Sequence, residues 1–155
     1  MFTKEEKKEL RVEFWNQFKH YSTGRRNKLG MKGKWMLENT GIRQVNLKFE
    51  FNTEFAWSGV AIDTRNLDKR IDLWEKFESL KAILEQECTE HPLIWEFDYK
   101  LAGSKSISLI YAKMEDVSVY NKTCWKQVSN FLFNTMLPLE RILVEYVDFI
   151  KPDNT

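Results

Sequence analysis

Apolar positions at helical spacing open the chain. Leu10, Phe14, Phe18 and Tyr21 recur on one side of residues 3–22, and Trp15 widens the stripe. Thr3 followed by Glu6 fits a capping box, and Gly24 is placed to stop the helix. Alternation then replaces the helical period. Trp35–Asn39 reads as a first strand that turns at Thr40-Gly41. Val45, Leu47, Phe49 and Phe51 alternate with polar residues over 44–51, and Trp57–Asp63 forms a third strand. The short polar link Asn52-Thr53-Glu54 makes the second and third strands an antiparallel hairpin.

Asn66 can cap a second helix reaching about Cys88, with Leu73, Phe77, Leu80 and Leu84 inside and Pro92 barring continuation. Two strands follow, near residues 94–100 and 106–113, split by Gly103-Ser104. Asn121 caps a last helix carrying Trp125, Val128, Leu132, Leu139, Ile142, Tyr146 and Phe149, which Pro138 should kink or divide. Phe131, Phe133, Leu137, Val144 and Val147 lie off its main stripe. Either the helix is deeply wrapped, or it forms a homodimer contact. The expected fold is one α+β domain over 1–155. It has a mainly antiparallel sheet of about five strands and three helices, in the order α-β-β-β-α-β-β-α.

Composition narrows the function classes. The 155 residues carry a net charge of +1, which by itself points neither to a nucleic-acid coat nor to an acidic-substrate trap. Its distribution is uneven. Lys19, Arg25, Arg26, Lys28, Lys32 and Lys34 lie between Phe14 and Leu37 with no acid, while Glu38–Asp98 holds 13 acids against 7 bases. The amino terminus lacks an apolar signal core, and no run is long enough to span a membrane. Cys88 and Cys124, without metal-ligand spacing, read as free thiols in a reducing cytoplasm. Two distant histidines and the lack of a phosphate-loop or dinucleotide fingerprint lead to an expectation of no cofactor and no metal.

The run Trp95-Glu96-Phe97-Asp98-Tyr99-Lys100 is the sharpest candidate for chemistry. As a strand it puts three aromatic residues on one face and Glu96, Asp98 and Lys100 on the other. The charged row is either a solvated strand face or a catalytic one. The order α-β-β-β-α-β also matches the core of restriction-endonuclease-like folds. Those enzymes hold a metal with an acid on the second strand and an acid-x-Lys pair on the third. Here Glu50 is the upstream acid and the nearest pair is Asp63-x-Arg65, where arginine is a poor general base. Asp98-x-Lys100 fits the pair better but follows the second helix, the wrong position for that fold.

The basic segment is the second candidate. Arg25, Arg26, Lys28, Lys32 and Lys34 can meet phosphates, and Tyr21 or Trp35 can stack on bases. A basic loop facing the protein's own acidic middle is the plainer alternative.

Phe14-Trp15, Trp35 before Asn39-Thr40-Gly41, the alternating strand Val45–Phe51, Trp95-Glu96, and Val117-Ser118-Val119-Tyr120-Asn121-Lys122 before Trp125 occur in that order. This series resembles the bacterial domain-of-unknown-function family 4268 over nearly the whole chain. The resemblance implies an association with nuclease-like and restriction-related proteins, and it supplies no catalytic residues. Members of that family carry a Glu near Ala61, which this chain lacks. The resulting expectation is a non-catalytic binding domain linked to nucleic-acid processing or defence. A divergent metal-dependent nuclease and a homodimeric interaction domain stand as alternatives.

Overall fold

The capping box forms as expected. In the computed structural model, which describes residues 1–31 and 33–152, the Thr3 N–H donates to Glu6 Oε1 at 3.0 Å. The Glu6 N–H returns a bond to Thr3 Oγ1 at 3.1 Å. Helix α1 runs Lys4–Lys28 and buries Leu10, Phe14 and Phe18. It does not stop at Gly24. A helical glycine costs only about 1 kcal/mol relative to alanine. Arg25, Arg26 and Lys28 in the last turn complement the carbonyl end of the helix dipole. The basic residues expected in a loop therefore begin on a helix.

Four strands follow rather than five: β1 Val45–Phe51, β2 Phe55–Ile62, β3 Ile94–Lys100 and β4 Ser106–Glu115. They form one antiparallel sheet in the order β1-β2-β4-β3. The missing strand is Trp35–Asn39. That segment lies beside β1 but, among the described residues, makes only an isolated ladder-like bond, Leu47 N–H to Leu37 O at 2.9 Å. Leu37 has φ 38°, a left-handed value that breaks the extended run. The β1–β2 hairpin forms where expected. Asn52 Oδ1 accepts the N–H groups of both Glu54 and Phe55.

The expected second helix is two helices, α2 Leu67–Ser79 and α3 Lys81–Glu87, with Leu80 as the joint. Pro138 stays inside α4, Trp125–Glu145, and the chain breaks only at Tyr146, before the short α5, Val147–Ile150. Leaving the one-turn α5 aside, the element order is thus α-β-β-α-α-β-β-α.

All of these helices cover one sheet face. Val60, Ile62 and Ile110 pack with Leu73, Phe77, Leu84, Met136 and Leu139. Phe51, Ala56 and Ala112 join Phe14, Phe18, Val128 and Phe131 in a second cluster. Helix α4 lies between them, and Ser58 Oγ donates to its Leu132 carbonyl at 3.0 Å. This position explains the surplus apolar residues of α4. Phe131 and Phe133 are 4% and 0% exposed because α1 and neighbouring segments wrap the side away from the sheet, whereas Val144 is 63% exposed. The opposite sheet face carries Trp57, Ala61, Ile107, Leu109 and Tyr111, packed with Phe55, Tyr99 and Leu101, and among the described residues no helix contributes to this cluster.

Candidate functional site

Strand β3 does not keep its alternation. Glu96 pairs with Leu109 and Tyr99 with Ile107, so Phe97 and Asp98 share one partner position, Ser108. This is a β-bulge, in which two residues oppose one. Ser108 Oγ donates to the Phe97 carbonyl at 2.7 Å across it. The bulge reverses the facing of everything beyond it. Trp95 and Phe97 lie under the helices against Trp74. Tyr99, expected beside them, instead packs on the outer face, where its hydroxyl accepts from Trp57 Nε1 at 3.1 Å.

The charged row is split by the same device. Glu96 faces outward and accepts a hydrogen bond from the Tyr111 hydroxyl. Asp98 faces Arg70 of α2, 2.7 Å from Nη2, and that guanidinium stacks 4.4 Å over Phe97. Lys100 is exposed at the strand end, opposite Ser106. Asp63 lies past the end of β2, 2.9 Å from Lys105 Nζ.

Glu50 is on the outer face of β1, opposite Trp57. Burial raises its carboxyl above the ordinary range, and Lys48 offsets part of that. Glu50 and Glu96 thus share a face, but on the two edge strands, three strand spacings or roughly 14 Å of sheet apart. Tyr99 feels both charges. Burial is the main cause raising its hydroxyl, the Trp57 bond opposes it, and Glu50 and Glu96 add smaller increments. Among the described residues, no three His, Cys, Asp or Glu side chains gather where they could hold a metal ion.

The basic segment is also divided. Arg26 is buried: Nη1 lies 2.7 Å from Glu140 Oε1, while Nε and Nη2 donate to the carbonyls of Gly33 and Lys34. Its guanidinium stacks 4.5 Å from the Trp35 ring. Arg25 is half-buried, donating to the Tyr21 hydroxyl and lying 4.2 Å over Phe133. Lys28 and Lys34 are exposed, and Lys32 falls outside the described residues. Trp35, half-buried, sets its ring against Phe49 and Phe133.

The segment after α1 therefore closes a groove along the outer edge of β1. Trp15, Lys34, Trp35, Glu38, Asn46 and Lys48 line it. Trp15 and Lys48 come to this groove from elements that sequence spacing gave no reason to join to the basic run. The cue was available only in part: Lys48 lies on the polar side of a strand that turns out to be an edge.

Residues 10–147 match a family model described as a domain of unknown function. The chain belongs to the DUF4268 family. Comparison with curated proteins and with solved structures gave no match. The aromatic markers of this DUF4268 domain do structural work. Phe14 packs edge-on against Trp15, Phe51 and Trp125. Val117 and Val119 enter the same core, and Trp125 Nε1 donates to the Val119 carbonyl at 2.9 Å. Among the described residues of the DUF4268 domain, no helix is long and apolar enough to cross a membrane.

Proposed function

We propose that this domain is a non-catalytic binding module that holds single-stranded nucleic acid in the groove beside β1. The observation that carries this reading is the placement of two exposed or half-exposed lysines, Lys34 and Lys48, around a groove that also presents Trp15 and Trp35. Positive charge tracks a phosphate backbone, and aromatic faces stack on bases without regard to sequence. Glu38 is the opposing charge in the lining. The dispersal of the acidic candidates supports binding over catalysis, because Asp63 and Asp98 are each held by a cation and Glu50 is separated from Glu96 by the width of the sheet. A place in nucleic-acid processing or defence is consistent with this role.

The test is fluorescence anisotropy with a labelled short single strand, titrated over salt. Each lost single-strand phosphate contact lowers the log–log salt slope by about 0.7, so Lys34→Glu with Lys48→Glu should lower it by roughly 1.4. Lys4→Glu with Lys8→Glu, at the far end of α1, should leave binding unchanged. Undetectable binding by the native chain at low salt, or equal losses in the two double variants, would end this reading.

A further inference from the structure

A second cleft lies at the other end of the sheet, between the β2–α2 connection and the β3–β4 hairpin. Its volume is about 520 Å³, within the ordinary range for a ligand cleft. Asp63, Arg65, Arg70, Ser104, Lys105 and Ser106 line it. Three cations thus converge from three separate segments, against one lining acid, Asp63, paired with Lys105 at 2.9 Å, and a neighbouring one, Asp98, paired with Arg70 at 2.7 Å, so Arg65 is the excess charge. Asp63-x-Arg65, unconvincing as a metal and general-base pair, here contributes its arginine to an anion-facing wall.

Arg70 gives this cleft its definition. It is only 9% exposed, on the first turns of α2, and is fixed from two sides. Asp98 takes a bond from Nη2 at 2.7 Å, and the Phe97 ring supports the guanidinium plane at 4.4 Å. Guanidinium carries five N–H donors in a rigid fork, so donors remain beyond the one given to Asp98. A cation held this firmly loses little side-chain freedom when an anion binds. Arg65 is exposed and makes no ion pair among the described residues, so its charge is available. The hydroxyls of Ser104 and Ser106 add neutral donors at the rim. The β3 bulge matters here too, because it turns Asp98 toward Arg70 rather than leaving it beside Glu96 on the outer face.

We infer that this cleft is a phosphate-class oxyanion site, with Arg70 as its fixed donor and Arg65 and Lys105 as the closing cations. Fork donors match the tetrahedral oxygens of phosphate, and charge-assisted bonds of this kind are about twice as strong as neutral ones. The site is separate from the β1 groove, so either assignment can fail without the other.

The experiment is amide NMR of the full chain titrated with inorganic phosphate. A second and third arm use a short oligonucleotide with and without a terminal phosphate. Saturable shifts centred on residues 64–70 and 103–106 are expected. Arg65→Ala with Lys105→Ala, both at exposed positions, should weaken binding about tenfold or more while leaving the rest of the spectrum intact. Lys34→Glu with Lys48→Glu should leave phosphate binding unchanged. Response to both inorganic and terminal phosphate identifies a general phosphate site. Response to inorganic phosphate alone identifies a small-anion site. Shifts that do not saturate, that centre elsewhere, or that persist undiminished in the Arg65/Lys105 variant would overturn the assignment.

Discussion

Arg26 Nη1 lies 2.7 Å from Glu140 Oε1, with both side chains nearly removed from solvent. The pair joins the last turn of α1 to the C-terminal half of α4 and also fixes the segment between α1 and β1. Arg26 donates to the Gly33 and Lys34 carbonyls, and Glu140 Oε2 accepts the Met36 N–H at 3.1 Å. Removing one partner leaves the other buried without its counter-charge, which typically costs about 3–5 kcal/mol. Arg26→Met and Glu140→Leu should each lose stability of that order in urea unfolding. Together they should cost about 1–3 kcal/mol less than the sum of the single losses. Additive losses would show that the two groups act independently.

The same pair shows where sequence reading reached its limit. Arg26 belonged by composition to a solvated basic run, and its burial depends on Glu140, 114 positions away. Local pattern located the β1–β2 hairpin, the caps at Thr3 and Asn66, and the apolar stripe of α4, whereas Asn121 caps the single 3-10 turn Lys122–Cys124 that leads into α4 rather than α4 itself. It failed where tertiary contact overrode a local cue. Gly24 reads as a stop, but the Arg26 anchor holds the helix beyond it. Period-two alternation in Trp95–Lys100 was real until the bulge at Phe97–Asp98, which side-chain pattern alone does not reveal. Residues 35–39 look extended because Trp35 faces the core, yet β1 meets them through a lone bond. The groove and the oxyanion cleft were illegible for a related reason: each gathers residues from segments that only the folded chain brings together.

Two glycines should respond in opposite directions to alanine. Gly24 is helical, and a Cβ built there meets nothing within 4 Å. Gly24→Ala should therefore stabilise the domain by up to about 1 kcal/mol, through restriction of the unfolded chain and better helix propensity. Gly59 sits in the centre of β2. A Cβ there would fall 2.8 Å from Tyr111 Cβ and 2.9 Å from the Ile110 carbonyl oxygen. Backbone on one side leaves little room for relaxation, so Gly59→Ala should destabilise by roughly 1–3 kcal/mol or more. Thermal unfolding of the two variants beside the native chain decides both points. A neutral Gly59→Ala would mean that the sheet yields at its centre.

Cys88 should be a slow thiol. Burial raises it to about 11, and the neighbouring Glu87 charge adds to the shift. Since the thiolate is the nucleophile, roughly one molecule in a thousand would be reactive at pH 8. Alkylation by iodoacetamide, followed by peptide mass spectrometry, should be far slower at Cys88 than at the same peptide after denaturation. The native rate should climb with pH toward 11. Equal rates in the folded and denatured chains would contradict the burial argument.

Glu50 offers a pH test of the open sheet face. Its carboxyl is raised above the ordinary value, chiefly by burial among the outer-face aromatic residues. A raised acid binds its proton more tightly in the folded chain than in the unfolded one. Stability therefore falls as pH rises through the window between the ordinary carboxyl value and the raised one, and the loss persists above it. Glu50→Gln removes the charge while keeping the shape and a polar end. The variant should match the native chain below the ordinary carboxyl range, where both side chains are neutral. At neutral pH it should melt higher, by roughly 1–4 °C, because solvent reaches part of the carboxylate and screens the effect. Melting curves across the acid range would settle the sign. A variant less stable than the native chain at neutral pH would show that ionised Glu50 holds a favourable contact on that face, making the carboxylate an asset to the fold rather than a cost.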